Sequence, residues 1–403
     1  MGSKRVPEVR FNGFSEEWQV CKLFEVAEFN PRSSLPEQFR YVDLGSVVGT
    51  NLISYRTELK KTAPSRAQRL AKRGDVFYQM VRPYQKNNFL FDLPYADFVF
   101  STGYAQLRPY GNSYFLLSRL QESRFVSNVL DRSTGTSYPA INSNDLAQIE
   151  ITVPKKEVEQ TQIGNFFKQL DETIAFQQQE LDTLKQTKQG LLQKMFPKEG
   201  ESVPEIRFSG FSGEWERQKF KNLAKVRRGL TYTPISIRQN GVRVLRSSNI
   251  CDDTFVIGNN DVFVNPKAIN IDFVKENDIL ITAANGSSRL VGKHALIKNV
   301  GKDAVHGGFM LVATAKIPLF INAMMSSTWY KKFINVHVSG GNGAIGNLNK
   351  NALEEQTVYV PQIEEQKMIG NFFGKLDNTI ALQQQELENL KQTKKAFLQK
   401  MFV

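Results

Sequence analysis

Cysteine, histidine and long apolar runs are what this chain has least of. Its 403 residues include two cysteines and three histidines. Cys21 and Cys251 stand far apart, with no CxxC spacing and no histidine beside either. That spacing excludes a disulfide framework and a zinc site. His294, His306 and His337 show no ligand spacing, and no HExxH occurs, so no metal site is expected. No apolar stretch approaches the roughly 20 residues of a membrane span. The opening MGSKRVPEVRF has charges without an apolar segment behind them, and no Ser or Thr at position six. Neither a secretory signal nor a myristoylation signal is read there. The expectation is a cytoplasmic protein with no membrane association.

Catalytic signatures are also missing. There is no GxxxxGK[ST] phosphate loop, which argues against an ATPase motor, and no GxGxxG after a strand to hold a dinucleotide or methyl donor. The glycine-rich run Gly340–Gly346 follows a polar segment and reads as a backbone-contact loop. No carboxylate pair with a following lysine suggests a nuclease. Asn30-Pro31 is followed by Arg32 and makes no amino-methyltransferase motif. No catalytic residue and no cofactor is assigned.

What the chain does have is positive charge, with a net +12 and an isoelectric point near 9.5. Such a balance points to a polyanion partner, most commonly nucleic acid, against the plain alternative of a lysine-rich surface. The excess is uneven. Residues 20–150 carry 16 Lys/Arg against 12 Asp/Glu, and residues 216–360 carry 19 against 10. Residues 154–198 carry 7 against 6, and residues 361–403 carry 6 against 5. The polyanion contact is therefore expected on the first pair of regions.

The chain is also internally duplicated. VPEVRFNGFSEEW (Val6–Trp18) returns as VPEIRFSGFSGEW (Val203–Trp215), identical at 10 of 13 positions. Glu159–Phe196 returns as Glu365–Phe402, identical at 27 of 38. Between these matched ends, Gln19–Pro154 and Glu216–Pro361 barely match. Neutral drift in loops would not spare 38 residues beside it so sharply. The pattern is a retained scaffold carrying a divergent insert, twice, and the insert is the natural place for specificity.

The matched stretches carry a heptad seam. Apolar residues fall at Ile163, Phe167, Leu170, Ile174, Leu181 and Leu184, continuing to Leu191 and Met195. The second copy has Ile369, Phe373, Leu376, Ile380, Leu387 and Leu390, continuing to Phe397 and Met401. A 3.5-residue period is a coiled-coil stripe, and neither helix can hide it alone. Duplication suggests a pseudo-twofold and hence an antiparallel pair, each helix running ~57 Å at 1.5 Å per residue. The stripe is broken by Gln177 and Lys188, and by Gln383 and Lys394. The glutamines either set the register or are simply tolerated at a wet seam.

The inserts read as mixed α/β, with short β-rich runs punctuated by Gly, Asn and Ser. Helices are expected over Ser113–Leu130 and Pro318–Val336. The overall class is α+β: a first recognition region 1–154, a long helix 155–197, a linker and second region 198–361, and a long helix 362–403. The loops between strands carry DNA-reading side chains. In the first half these are Arg82, Tyr84, Gln85, Lys86 and Asn87, then Arg132, Thr134, Thr136, Ser137 and Tyr138. In the second they are Arg227, Arg228, Thr231 and Tyr232; Arg246, Ser248 and Asn249; Asn285, Ser287 and Arg289; and Ser339, Asn342 and Asn347. Arg and Lys take guanine edges or phosphates, Asn and Gln pair with adenine, and Ser and Thr bond phosphate oxygens. Any one of these residues would look similar in a solvated loop.

The order VPEVRF…GFSEEW, STGYAQLRP, STGTSYPAINSNDLAQIEITVP and EQTQIGNFFKQLDETI, with its second-half partners, resembles the specificity subunit of type I restriction-modification systems. The resemblance covers nearly the whole chain. The second half departs from it where SGGNGAIGNLNKNAL replaces the STGTSYPAINSNDL form. The resemblance implies that each insert is a target recognition domain reading one half of a split double-stranded DNA site. It implies that the helices set the gap, at most roughly one and a half duplex turns at ~34–36 Å per turn. They would also dock methyltransferase subunits, two by the duplication, and through them the nuclease/translocase subunits. Methyl donor, ATP and magnesium then belong to those partners. The competing readings are a coiled-coil scaffold whose basic inserts bind another polyanion, and an enzyme with an unrecognised site.

Overall fold

Both heptad stretches fold as single helices of 38 residues, Glu157–Lys194 and Ile363–Lys400. Each opens on glutamates and closes on a lysine, the polarity that suits the helix dipole. A computed structural model of the chain describes residues 5–258, 260–301, 303–339 and 346–403. The chain divides into two compact units, Met1–Gln178 with Glu386–Val403, and Gln179–Gln385. Each unit thus takes in one recognition domain, the N-terminal part of the helix that follows it, and the C-terminal part of the other helix.

In the first unit two four-stranded sheets face each other. One has the order Arg56–Leu59, Gln38–Val42, Phe98–Ser101, Ala67–Leu70; the other has Ala27–Phe29, Tyr104–Pro109, Val76–Gln79, Phe89–Leu90. Phe98–Ser101 runs parallel to Gln38–Val42, and the remaining pairs are antiparallel. Val76–Gln79 is buried along its whole length, so its residues do not alternate between apolar and polar as those of a half-exposed strand do. Phe77 stacks on Phe100 at 3.6 Å in the core between the sheets. A two-stranded ribbon, Gln19–Lys22 with Glu150–Val153, closes the domain beside the helix.

The second unit repeats the plan. One sheet runs Ala224–Arg228, Met310–Ala315, Ile279–Thr282, His294–Leu296, and the other Ile237–Arg238, Val262–Val264, Val242–Leu245, Ala304–His306. Its closing ribbon is Glu216–Lys219 with Thr357–Val360. Both expected insert helices are broken in two. The first is Ser113–Gln121 and Ser123–Asp131, interrupted where the Glu122 side chain caps the second piece. The other is Pro318–Met325 and Thr328–His337, interrupted at Ser326 and Ser327. Buried apolar positions continue across each break, so the periodicity alone does not reveal it.

The seam residues divide by position. Ile163 and Phe167 are buried in the first domain core with Met401 and Phe402, and Ile369 and Phe373 in the second with Met195 and Phe196. These first positions are domain core as much as helix seam. Leu181, Ile380 and Leu387 are buried; Leu170, Ile174, Leu184, Leu376 and Leu390 are half-buried. Within each unit the helices run antiparallel. Phe166 meets Phe397 and Asp171 meets Lys394 in the first; Lys188 meets Asp377 and Phe196 meets Phe373 in the second.

The polar breaks in the seam have different fates. Lys188–Asp377 and Lys394–Asp171 are the same interhelical ion pair used twice, each at 2.5 Å. Gln177 and Gln383 leave their Oε1 atoms buried without a partner. The two ion pairs fix which residues stand opposite each other at these points of the seam.

The repeated 13-residue motif is a clasp. Arg10 donates to both carboxylate oxygens of Glu159 at 2.7 and 2.9 Å, and Trp18 Nε1 donates to the same group at 3.2 Å. Next to it, Val9 N donates to the Lys400 carbonyl at 2.9 Å. The second copy repeats the arginine and backbone bonds, with Arg207 on Glu365 at 2.7 and 2.8 Å and Ile206 N on the Lys194 carbonyl at 2.8 Å, while Trp215 Nε1 is left without a partner. Each motif therefore ties the start of one helix to the end of the other. Glu159 is 2% and Glu365 0% exposed, so a paired, bidentate guanidinium is what makes their burial tolerable. The repeated glycine of IGNFF admits the domain: a Cβ on Gly164 would lie 2.9 Å from Phe115 N, and one on Gly370 would lie 2.7 Å from Phe320 N.

Candidate nucleic-acid interface

The two candidate loops of the first domain come together. Val81 and Thr134 both form antiparallel bridges with Ala140, and Arg82 N donates to the Pro139 carbonyl at 2.7 Å. Arg82 has a left-handed backbone (φ 54°), which turns its side chain onto the Tyr138 ring at 4.2 Å. Tyr84, Arg132, Thr136, Ser137 and Tyr138 are exposed around this point, as is Thr134. The result is an arginine stacked on an aromatic ring, ringed by hydroxyls.

Their neighbours hold the loop instead. Gln85 Oε1 accepts from Gln79 Nε2 at 2.9 Å, and Asn87 Oδ1 accepts from Gly49 N at 2.8 Å. Lys86 Nζ donates to the Gln121 carbonyl at 2.8 Å, and burial lowers its pKa. Gln85, Lys86 and Asn87, expected among the reading side chains, are engaged within the domain.

The second domain repeats the arrangement with a fuller ribbon. Ala284–Asn285, Gly346–Leu348 and Val338–Ser339 form a three-stranded sheet pairing Ala284 with Asn347, Asn285 with Gly346 and Ser339 with Asn347. Leu348 N donates to the Ala283 carbonyl, as Ile141 N does to Met80 in the first domain, which fixes the equivalence of the two ribbons. Asn347 and Ser287 are exposed. Asn342 lies outside the described residues. Asn285 Nδ2 donates to Ser247 Oγ at 3.1 Å while its Oδ1 accepts from Ser287 N at 2.9 Å.

A cleft of about 620 Å³ opens beside this ribbon, lined by Thr231, Tyr232, Arg246, Ser248 and Asn285 among others. Five residues from three separate loops, each expected as a contact, thus share one site. Sequence reading missed the rest of its wall, notably Phe309, 68% exposed on a turn after Gly307 and Gly308. An apolar residue beside two glycines at a strand turn was the available signal. Arg228 is exposed on its strand. Arg289 lines a different cleft, together with Lys185 and Lys188 of the first long helix.

Two candidates are bound by their own domain. Asn249 is 1% exposed and bonds Arg246 N, the Val256 carbonyl and Asp261. Arg227 neutralises the buried Asp278 at 2.8 Å. In the first domain the equivalent carboxylate, Asp75, is held by Arg108 at 2.8 Å. The same buried acid keeps its place while its arginine arrives from a different strand. Beneath the cleft, His306 is wholly buried, and desolvation pushes its pKa down to about 4. It is a neutral part of the core at physiological pH.

Burial raises the Cys21 thiol to about 11, which keeps it protonated and inert. Among the described residues no group of three or more His, Cys, Asp or Glu is placed to hold a metal ion, and no helix is long and apolar enough to cross a membrane.

The type I restriction modification DNA specificity domain matches the chain twice, over residues 15–186 and 212–392. The MjaVIII type I restriction enzyme specificity subunit of Methanocaldococcus jannaschii is 21% identical over 345 residues, spanning 82% of this chain and 73% of that protein. The MjaX subunit of the same organism, named as a putative type I restriction enzyme specificity subunit, is 22% identical over 73% of this chain and 67% of its own length. The crystal structure of the type I restriction-modification S subunit from M. genitalium shares the fold with a TM-score of 0.66 and 13% identity, over 99% of each chain. A chain from a structural study of type I R-M complex assembly and conformational transition matches with a TM-score of 0.55 and 19% identity, over 94% of this chain and 96% of that one. The two domain matches fall on the two halves of the duplicated frame, and the chain is a sequence-specific DNA-recognition subunit. It belongs to the type I restriction-modification DNA specificity family.

Proposed function

We infer that each recognition domain reads one half of a bipartite duplex target, and that the two halves have different sequences. One observation carries this reading: the frame is repeated while the reading positions are not. The clasp pairs Arg10–Glu159 and Arg207–Glu365 are the same interaction. At the head of the parallel strand pair the domains differ. Val42 opposite Phe100 is matched by Leu245 opposite His306, so the next residue is Asp43 in one domain and Arg246 in the other. The Asp43 carboxylate accepts from Gly45 N, Ser46 Oγ and Arg56 within its own domain, whereas Arg246 is exposed and is of the type that donates to guanine or phosphate, so the two domains present different groups at one place in one fold.

The chain has a non-catalytic role in this reading. It contributes recognition and spacing, while methyl transfer and cleavage belong to partner subunits acting with it in the cytoplasm. The test is nuclease protection of a duplex by the chain assembled with its methyltransferase. Two separated protected tracts are expected. Arg82→Ala should weaken discrimination in one tract by ~1–3 kcal/mol, about 5- to 150-fold, and leave the other intact. A single tract, or equal loss in both, would overturn the modular reading.

Two methyltransferase subunits fit the duplication, with nuclease/translocase subunits joining through them. Phe176 and Leu382 hold matching places in the repeated helices, before QQQEL, and are 58% and 62% exposed. Large apolar side chains exposed on the polar face of a helix suit a partner surface. Phe176→Ser and Leu382→Ser should each remove one methyltransferase copy, and the double variant both, by native mass spectrometry. Full occupancy in the double variant would exclude this face.

A further inference from the structure

At the place of the second domain's cleft the first domain carries different side chains, and the register of the strands shows which. Met80 N donates to the Gly103 carbonyl, and Ala283 N donates to the Phe309 carbonyl. Gly103 and Phe309 are thus the same position. By the parallel strand pair, Leu44 and Ser247 are also the same position. In the first domain Leu44 lies directly on Gly103, where a Cβ would come within 2.9 Å of it. In the second, a serine replaces the leucine and a phenylalanine the glycine. The filling side chain is gone, and an aromatic ring stands at the rim.

The resulting site is concave, whereas base edges in a groove are read by side chains that project into it. It is a recess of about 620 Å³, within the roughly 300–1,000 Å³ of sites that enclose a small molecule. Leu230, Tyr232, Ile237, Phe309 and Met310 give it apolar and aromatic walls. Asn285 supplies the polar group. Its amide orientation is set by Ser247 and Ser287, leaving one N–H and one acceptor lone pair unassigned by those two bonds. Arg246 is exposed at the mouth, where a charged guanidinium suits a phosphate.

We propose that this cleft takes a single nucleobase swung out of the duplex. Aromatic walls hold its faces, Asn285 reads its edge and Arg246 takes the adjoining phosphate. A flipped base needs this combination of stacking surface and edge hydrogen bonds, and base–aromatic stacking tolerates any base while the amide selects. The inference rests on the DNA reading above and adds a site to it. The second domain distorts its half of the target, whereas the first, filled by Leu44, reads an undistorted duplex.

The test uses the chain assembled with its methyltransferase, without methyl donor. Duplexes carry 2-aminopurine or pyrrolocytosine at one position at a time across the second half-site. One position other than the methylated base should brighten severalfold on binding. Ser247→Leu, which restores the first domain's filling, should abolish that signal and leave first-tract protection unchanged. Phe309→Gly, which opens the site without adding bulk, should reduce it. Binding with no Ser247-dependent position overturns the cleft and leaves the bipartite reading standing. Failure to bind any duplex overturns both.

Discussion

Asp278→Ala is expected to cost the second domain about 3–5 kcal/mol, the range for breaking a buried, hydrogen-bonded ion pair. Asp278 is 2% exposed and accepts from Arg227 at 2.8 Å, from Thr314 Oγ1 at 2.6 Å and from Lys275 N at 2.9 Å. Removing the carboxylate leaves the Arg227 guanidinium, 15% exposed, with only the solvent-exposed Asp272 at 3.9 Å as counter-charge, and two further donors unsatisfied. In a unit of this size the loss corresponds to a fall of roughly 6–20 °C in its unfolding temperature. Calorimetry should show one transition moving and the other fixed, with second-tract protection lost and first-tract protection kept. A shift below about 2 °C would mean that the network contributes little. Replacing both partners by leucine should be milder, because neither charge is then left alone.

Shortening both long helices by one heptad should shorten the preferred gap by about 3 base pairs. Seven residues at 1.5 Å are ~10 Å of helix, and duplex DNA rises 3.4 Å per base pair. The deletion has to be double. Lys394–Asp171 lies in the first unit and Lys188–Asp377 in the second, and residues 180–186 and 386–392 fall between the paired positions along each helix. Removing both heptads keeps both pairs in register. Removing 180–186 alone makes one pair incompatible with the other, so that variant should lose affinity and cooperativity instead of adopting a clean shorter gap. Methylation of a duplex series with graded gaps reads the outcome. An unchanged optimum in the double deletion would remove the spacing role from the helices.

Much of this protein was legible in its residues. The duplication, the two 38-residue helices and the division into frame and insert follow from local periodicity and identity, which a linear sequence displays in full. The clasp was visible only as a repeated string. That Arg10 reaches Glu159, 149 positions away, depends on where the fold returns the chain, and no period encodes it. The loop candidates divided for the same reason. Arg246 and Asn249 look alike as loop residues three positions apart, yet one reaches solvent and the other is 1% exposed.

The sequence by itself determined what is repeated and which residue types the divergent regions offer to a polyanion. Only the tertiary structure decided which of those side chains are free. It paired Asp278 with Arg227, stacked Arg82 on Tyr138, and set Ser247 where Leu44 stands in the other domain. The physical reason is that helix and strand patterns arise from neighbours along the chain, whereas burial and charge pairing arise from neighbours across it.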